Sequence, residues 1–283
     1  RAGSRSELAV IGCHLSRDPR SMGLPASTGV LVQGSARCLV RACVVDGFER
    51  SGVTCQHAAE LWCDHSCVAG NALTGIKCTS RASCVVTHSS LLRNGHFGML
   101  IRDRARASLL ACEISDNSSV GIACISKAAT RLRGCEISGN EGFGLVCQHE
   151  GRTFVEQCRV EKNGGAGVMV AQEAEVTCIK CSLLSNHSAD GGAAFTVQAR
   201  ASLKLGGGEN YVETNTVHAQ MAAEWGARHG NGEAPNGHGH AVDLAQSFFT
   251  RPPPPPPFNA EQEIVAAVNI AGGPQNLAAA DVA

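Results

Sequence analysis

Aromatic residues are scarce in this sequence: 4% of 283 residues, made up of 8 Phe, 2 Trp and 1 Tyr. A core of stacked rings is therefore excluded, and the 43% of hydrophobic residues must be buried as Val, Ile, Leu, Ala and Cys. Excess charge of either sign is also missing. A net charge of −1 supplies no field that would draw nucleic acid or an anionic membrane surface. No run of 18 apolar residues occurs, so no membrane-spanning helix is expected. There is no initiator Met and no secretory n-region and h-region; the chain opens on Arg1 and reads as a piece of a longer protein.

What is abundant is glycine, with 32 residues, and cysteine, with 15. In a short secreted chain so many cysteines would suggest a disulfide framework, so their placement matters. The phrase "CEISGN" at Cys135–Asn140 echoes "CEISDN" at Cys112–Asn117, 23 residues earlier. Taking that Cys as an origin, equivalent positions fall at Cys43, Ser66, Ser89, Cys112, Cys135, Cys158 and Cys181 without a gap. Five residues later comes Asn in six consecutive coils: Asn71, Asn94, Asn117, Asn140, Asn163 and Asn186. Nine after the origin comes Gly, from Gly52 to Gly167. Two further coils appear if insertions are allowed, seven residues within the stretch "RSMGLPAS" after Cys13 and two after Cys181, the second aligning Ala199 with Ala105. Nine coil starts are legible between Cys13 and about Gly206.

A fixed period of this length specifies a solenoid. Each Gly is followed by apolar–variable–apolar, as in "GVTCQ", "GIKCT" and "GLVCQ", which is strand periodicity. A second apolar pair recurs at Leu61/Cys63, Cys84/Val86 and Ala107/Leu109, and a third joins each origin to the residue two on, as in Cys135/Ile137. Three short strands per coil and no helical return specify an all-β, parallel β-helix, whose nine coils stack at about 4.8 Å into a rod of roughly 40 Å. The leucine-rich repeat, the rival at this period, needs an L-x-x-L-x-L frame and a helix that are not present.

The "C-x-I-x-x-N-x-x-x-G-[IVL]" phrase resembles the right-handed parallel β-helix repeat of the pectate-lyase-like superfamily, over about Leu8 to Leu205. It is most similar to the β-helix domain of F-box-only substrate receptors of ubiquitin ligases and of related SHC-binding spindle proteins. Neither an F-box nor a zinc-finger module accompanies it in this sequence. The resemblance implies the fold, an intracellular location and a recognition role in ubiquitin ligation.

In such a rod each repeat position becomes a column. The Asn column is expected to serve as a turn device with stacked amides, and the Gly column to mark positive φ or close approach. Fourteen of the cysteines fall on inward positions and read as small buried hydrophobes; only Cys67 falls outward. With columns that run along the axis rather than converge on a point, neither zinc nor a disulfide framework is expected, and the thiols read as free, in a reducing compartment. No cofactor pattern is present.

The resemblance implies that an enzyme of this fold would carry its acids and bases on outward positions. The column after the Gly reads Leu31, Thr54, Lys77, Leu100, Ala123, Val146, Met169 and Ala194; its neighbour contains Arg102 and Ile125. Neither holds a carboxylate, whereas calcium sites and glycosidases require several. Glu113 and Glu136 are outward and one coil apart, a pair that could act on a glycosidic bond or simply face water beside Arg133 and Arg159. His65 and His88 share a column near Asp64 and Cys67, which leaves metal binding or acid–base chemistry open beside a plain surface role. The apolar strip Leu31, Leu100, Ile125, Val146 and Met169, edged by Lys77 and Arg102, suggests a protein-binding face. Trp62 and Phe154, outward in a second column, are candidate anchors.

Domains are expected at 8–210 for the β-helix, 211–230 for a capping helix ("VHAQMAAEWGAR"), and 231–283 for a disordered, Gly/Pro/Ala-rich tail. The tail contains six consecutive prolines, Pro252–Pro257, fit for a polyproline-binding domain or a spacer. The "GHG" at Gly237–Gly239 echoes a polygalacturonase motif but lacks its paired Asp motifs. The sequence favours a non-enzymatic, intracellular protein-recognition module over its rival, a carbohydrate-active or sugar-binding protein of the same fold.

Overall fold

The computed structural model describes residues 6–17, 27–186, 194–198, 200–206 and 210–213. Among them the chain forms strands and no helix, wound into a right-handed parallel β-solenoid. Three parallel sheets run along it. Sheet A stacks nine strands from Glu7–Ile11 to Ser202–Leu205, sheet B nine from His14–Ser16 to Tyr211–Glu213, and sheet C, which holds the post-glycine strands, eight from Val30–Val32 to Phe195–Val197. Pairing follows the 23-residue period: Arg106 with Ala129, Glu113 with Glu136, Ile122 with Leu145. The seven-residue insert is also as expected, since His14 pairs with Val44.

The second insert is longer than the spacing predicts. Val168 pairs with Phe195 and Glu175 with Ser202, so four residues are added rather than two. Thr196, not Ala194, therefore continues the outward column beyond Met169, and Ala194 is buried. A shift of two preserves the in–out alternation of a strand, so periodicity alone could not detect it. Tyr211–Glu213 is the last strand of sheet B. The rest of the expected capping segment, the tail, the polyproline run and the "GHG" lie outside the described residues, as does the insert from Arg20 to Ala26.

The inside of the rod is one apolar cluster with a column from each sheet. Val45, Val68, Leu91, Ile114, Ile137, Val160 and Leu183 stack from sheet B; Val53, Ile76, Met99, Ile122, Leu145 and Val168 from sheet C. Thirteen cysteines are buried and all fifteen are free thiols. Cys67 is half-buried, and Cys13, expected inside, is exposed because it lies on the first rung, where Leu8 and Ile11 are also open to solvent.

The Asn ladder is present with one correction. None of its members is left-handed; the residue before each one is, at Gly70, Arg93, Asp116, Gly139, Lys162 and Ser185. The Asn side chains instead satisfy the inside of that corner. Asn94 Nδ2 donates to Asn117 Oδ1 at 3.0 Å and to the Val68 carbonyl at 3.3 Å, and its Oδ1 accepts from Asn71 N and Nδ2. The pattern repeats from Asn71 to Asn186, every member fully buried. The column Gly52 to Gly167 is not left-handed either; it marks close approach. A Cβ on Gly121 would lie 2.6 Å from the Gly144 carbonyl oxygen and 2.9 Å from Asn140 Nδ2.

Candidate functional site

The expected protein-binding face on sheet C is mostly packed against itself. Leu31, Lys77, Leu100, Val146 and Met169 do share one outward column. Only Leu31 is broadly exposed; Leu100 and Val146 are buried, and Lys77, Ile125 and Met169 are half-covered. The rung spacing brings outward side chains of neighbouring coils into van der Waals contact, and Phe97, Val120 and Phe143 close the cluster's flank. Arg102, at its edge, is paired with Asp103 at 2.7 Å. Outward in sheet A, Trp62 is 8% exposed between Leu39 and Val85, and Phe154 lies 5.3 Å beneath the Arg131 guanidinium. Residues expected as exposed anchors thus cover one another.

Polar chemistry concentrates on the A–B corner and the outward side of sheet B. That sheet presents Val44, Cys67, Ser90, Glu113, Glu136, Arg159 and Ser182 in register, one per rung. Glu113 and Glu136 are adjacent and exposed, as expected. Glu113 accepts from Ser90 Oγ at 3.4 Å and Ser115 Oγ at 3.2 Å, and Arg159 is drawn to Glu161 at 2.6 Å. The pair stands outside the depression that lies next to it. That depression, of about 370 Å³, is lined by Ala42, Cys43, Val44, His65, Ser66, Cys67, His88 and Ser90.

The corner between sheets A and B is made by one left-handed residue per coil, among them Ala42, His65, His88, Ala111, Gln157 and Lys180. The two histidines follow one another, so their rings stack with centroids 4.8 Å apart and planes 22° from parallel. Asp64, at the end of its sheet A strand, lies beside both: its Oδ1 is 2.9 Å from His65 Nδ1 and 3.8 Å from His88 Nδ1. Burial pushes the Asp64 carboxyl up, but the Thr87 hydroxyl (2.6 Å), His65 and Arg41 (3.3 Å) outweigh it and hold the group below its ordinary value. Both ring nitrogens of His88 are out of solvent and make no hydrogen bond. Burial raises the Cys67 thiol, which keeps it neutral at pH 7. Thr87 and Arg41 were not singled out in the sequence, although the signal was there: each stands one coil from Asp64 in the same column.

A carboxylate held ionised beside two imidazoles can transfer protons or ligate a divalent metal. The solenoid, with its three parallel sheets, defines a parallel β-helix protein. The chain belongs to the right handed beta helix region family, which matches residues 2–145 and 68–233. No curated protein matches it by sequence. Among solved structures it is similar to pectate lyase Pel9A, with 10% identity, TM-score 0.45, and 77% of this chain and 83% of that one covered. The Azotobacter vinelandii mannuronan C-5 epimerase AlgE6 A-module gives 11% identity and TM-score 0.43 over 74% and 77% of the two chains. The enzymatically active domain of the bacteriophage CBA120 tailspike protein 2 gives 8% identity and TM-score 0.40 over 73% and 37%.

Proposed function

We propose that the protein binds a polysaccharide along the A–B corner and the outer side of sheet B. One observation carries this reading: a row of polar side chains, one per rung from Cys67 and Ser90 through Glu113 and Glu136 to Arg159, beside a depression lined by two histidines. A regular row of donors and acceptors suits a ligand that is itself a regular row of hydroxyls, and the four residues from Ser90 to Arg159 in that row are all polar. Chemistry on the ligand, if the protein is an enzyme, belongs to Asp64, His65 and His88, the group with both a base and a positioning network. The test is a screen of neutral and uronate polysaccharides for binding and for turnover, with and without calcium. Retention of at least one polymer, weakened tenfold or more in Glu113→Gln/Glu136→Gln/Arg159→Ala, is the expected result. Failure to retain any polymer, or equal retention by the triple variant, overturns the reading.

A second reading, a protein-recognition module such as a ubiquitin-ligase substrate receptor would use, is favoured by the apolar cluster outside the rod, where Phe97, Ile125, Phe143 and Met169 remain half-exposed. Partner capture from cell extract that is lost in Ile125→Asp/Met169→Asp, with polysaccharide binding absent, would replace the first reading by the second.

A further inference from the structure

We propose that Asp64, His65 and His88 form a binding site for one divalent transition-metal ion of the zinc class. The proposal extends the corner site beyond polysaccharide binding and does not depend on it, since the probe is the metal alone.

One atom from each residue lies within 4.8 Å of the others. Asp64 Oδ1 is 2.9 Å from one imidazole nitrogen and 3.8 Å from the other. Tetrahedral zinc, with bonds of about 2.0–2.2 Å, spaces its ligands about 3.3 Å apart, so the observed edges straddle the required one. His65 is more than half exposed and can swing to close the stack onto an ion. Nitrogen and carboxylate donors together suit zinc, cobalt or nickel rather than calcium or magnesium, which take oxygen ligands.

Two further observations point the same way. His88 holds both ring nitrogens away from water with no hydrogen-bond partner, a state native proteins rarely keep; an ion bound through Nδ1 satisfies one of the two. The carboxylate is also already oriented from behind. Thr87 Oγ1 donates to Oδ1 and Arg41 Nε lies 3.3 Å from Oδ2, the kind of outer support that fixes a ligating carboxylate. Cys67 lines the same depression but is not one of the converging three. The fourth position is left to water or to an oxygen of a bound polymer.

The test uses the full chain carrying Cys13→Ser and Cys67→Ser, which removes the two accessible thiols that would bind metal adventitiously. After chelator treatment, zinc is titrated by calorimetry and cobalt(II) by visible absorption. The expected result is one equivalent bound at micromolar affinity or better, intense tetrahedral cobalt bands, and affinity at least tenfold weaker in His65→Ala and in His88→Gln. His96→Ala serves as the control and leaves binding unchanged. His65→Ala carries the test should the half-buried His88 prove necessary for folding. Absence of binding, or binding unaffected by His65→Ala, overturns the proposal.

Discussion

Asn117 shows what a single buried side chain does in this protein. Its Oδ1 accepts from the backbone N–H and the amide of Asn94, and its Nδ2 donates to Asn140 Oδ1 and the Leu91 carbonyl. Asn117→Ala strands the two Asn94 donors and one carbonyl inside the rod. Each stranded group costs about 1–3 kcal/mol, so the expected loss is at least about 3 kcal/mol of unfolding free energy, read from urea denaturation. Glu136→Ala, on the surface, should change stability by less than about 0.5 kcal/mol. Gly121→Ala has a different cause and a similar outcome. The added methyl meets the Gly144 carbonyl oxygen and Ile137 Cγ2 at 2.6 and 2.9 Å, and neither neighbour is the free end of a flexible chain. A loss of at least about 2 kcal/mol is expected, within the range measured for overpacked cores.

Coils are the elements, and register is what they protect. Every coil between Cys43 and Cys181 offers the same inward columns at the same offset. Removing the whole coil from Cys112 to Gly134 places Cys135, Ile137 and Asn140 where Cys112, Ile114 and Asn117 stood. The shortened chain should keep its β circular dichroism and a cooperative, lower melting transition. Deleting Leu132 alone is a smaller change with a larger effect. It moves Arg133, the last residue of its strand, into the inward position of Leu132 and carries a one-residue slip into the next strand, where Ile137 would turn outward. That variant should aggregate or melt non-cooperatively. Equal behaviour of the two deletions would mean that register is not what holds the stack.

For the whole molecule, a core rich in cysteine makes stability depend on pH and on the state of its thiols. Burial pushes the Cys38 thiol up to about 11 and the Cys63 thiol to about 12. In the unfolded chain both ionise near their ordinary value of about 8.5. Above that pH the unfolded state sheds protons that the native state retains, so stability falls as pH rises from about 8.5 to 12. Denaturation midpoints at pH 7, 9 and 10.5 should decline, and decline less in Cys38→Ala/Cys63→Ala. Thiol titration with a bulky disulfide reagent gives a second check. Cys13 should react first and Cys67 more slowly in the native protein, with all fifteen available only after unfolding.

The period, the three sheets, the inward columns and the Asn and Gly ladders are all specified by the order of residues along the chain. Strand periodicity and stacking at a fixed offset are properties of the chain read one residue at a time. Tertiary structure decided what periodicity leaves degenerate. The insert before Phe195 is four residues rather than two because both preserve the in–out alternation. The left-handed residue is the one before each Asn because the amide is needed inside the corner. Outward apolar side chains such as Leu100 and Trp62 are buried because a rung spacing of about 4.8 Å packs them against the next coil. The columns of Asp64, His65 and His88 were legible from their numbers. That the three side chains converge, with Thr87 and Arg41 behind them, follows from side-chain directions at a corner, which only the folded coil fixes.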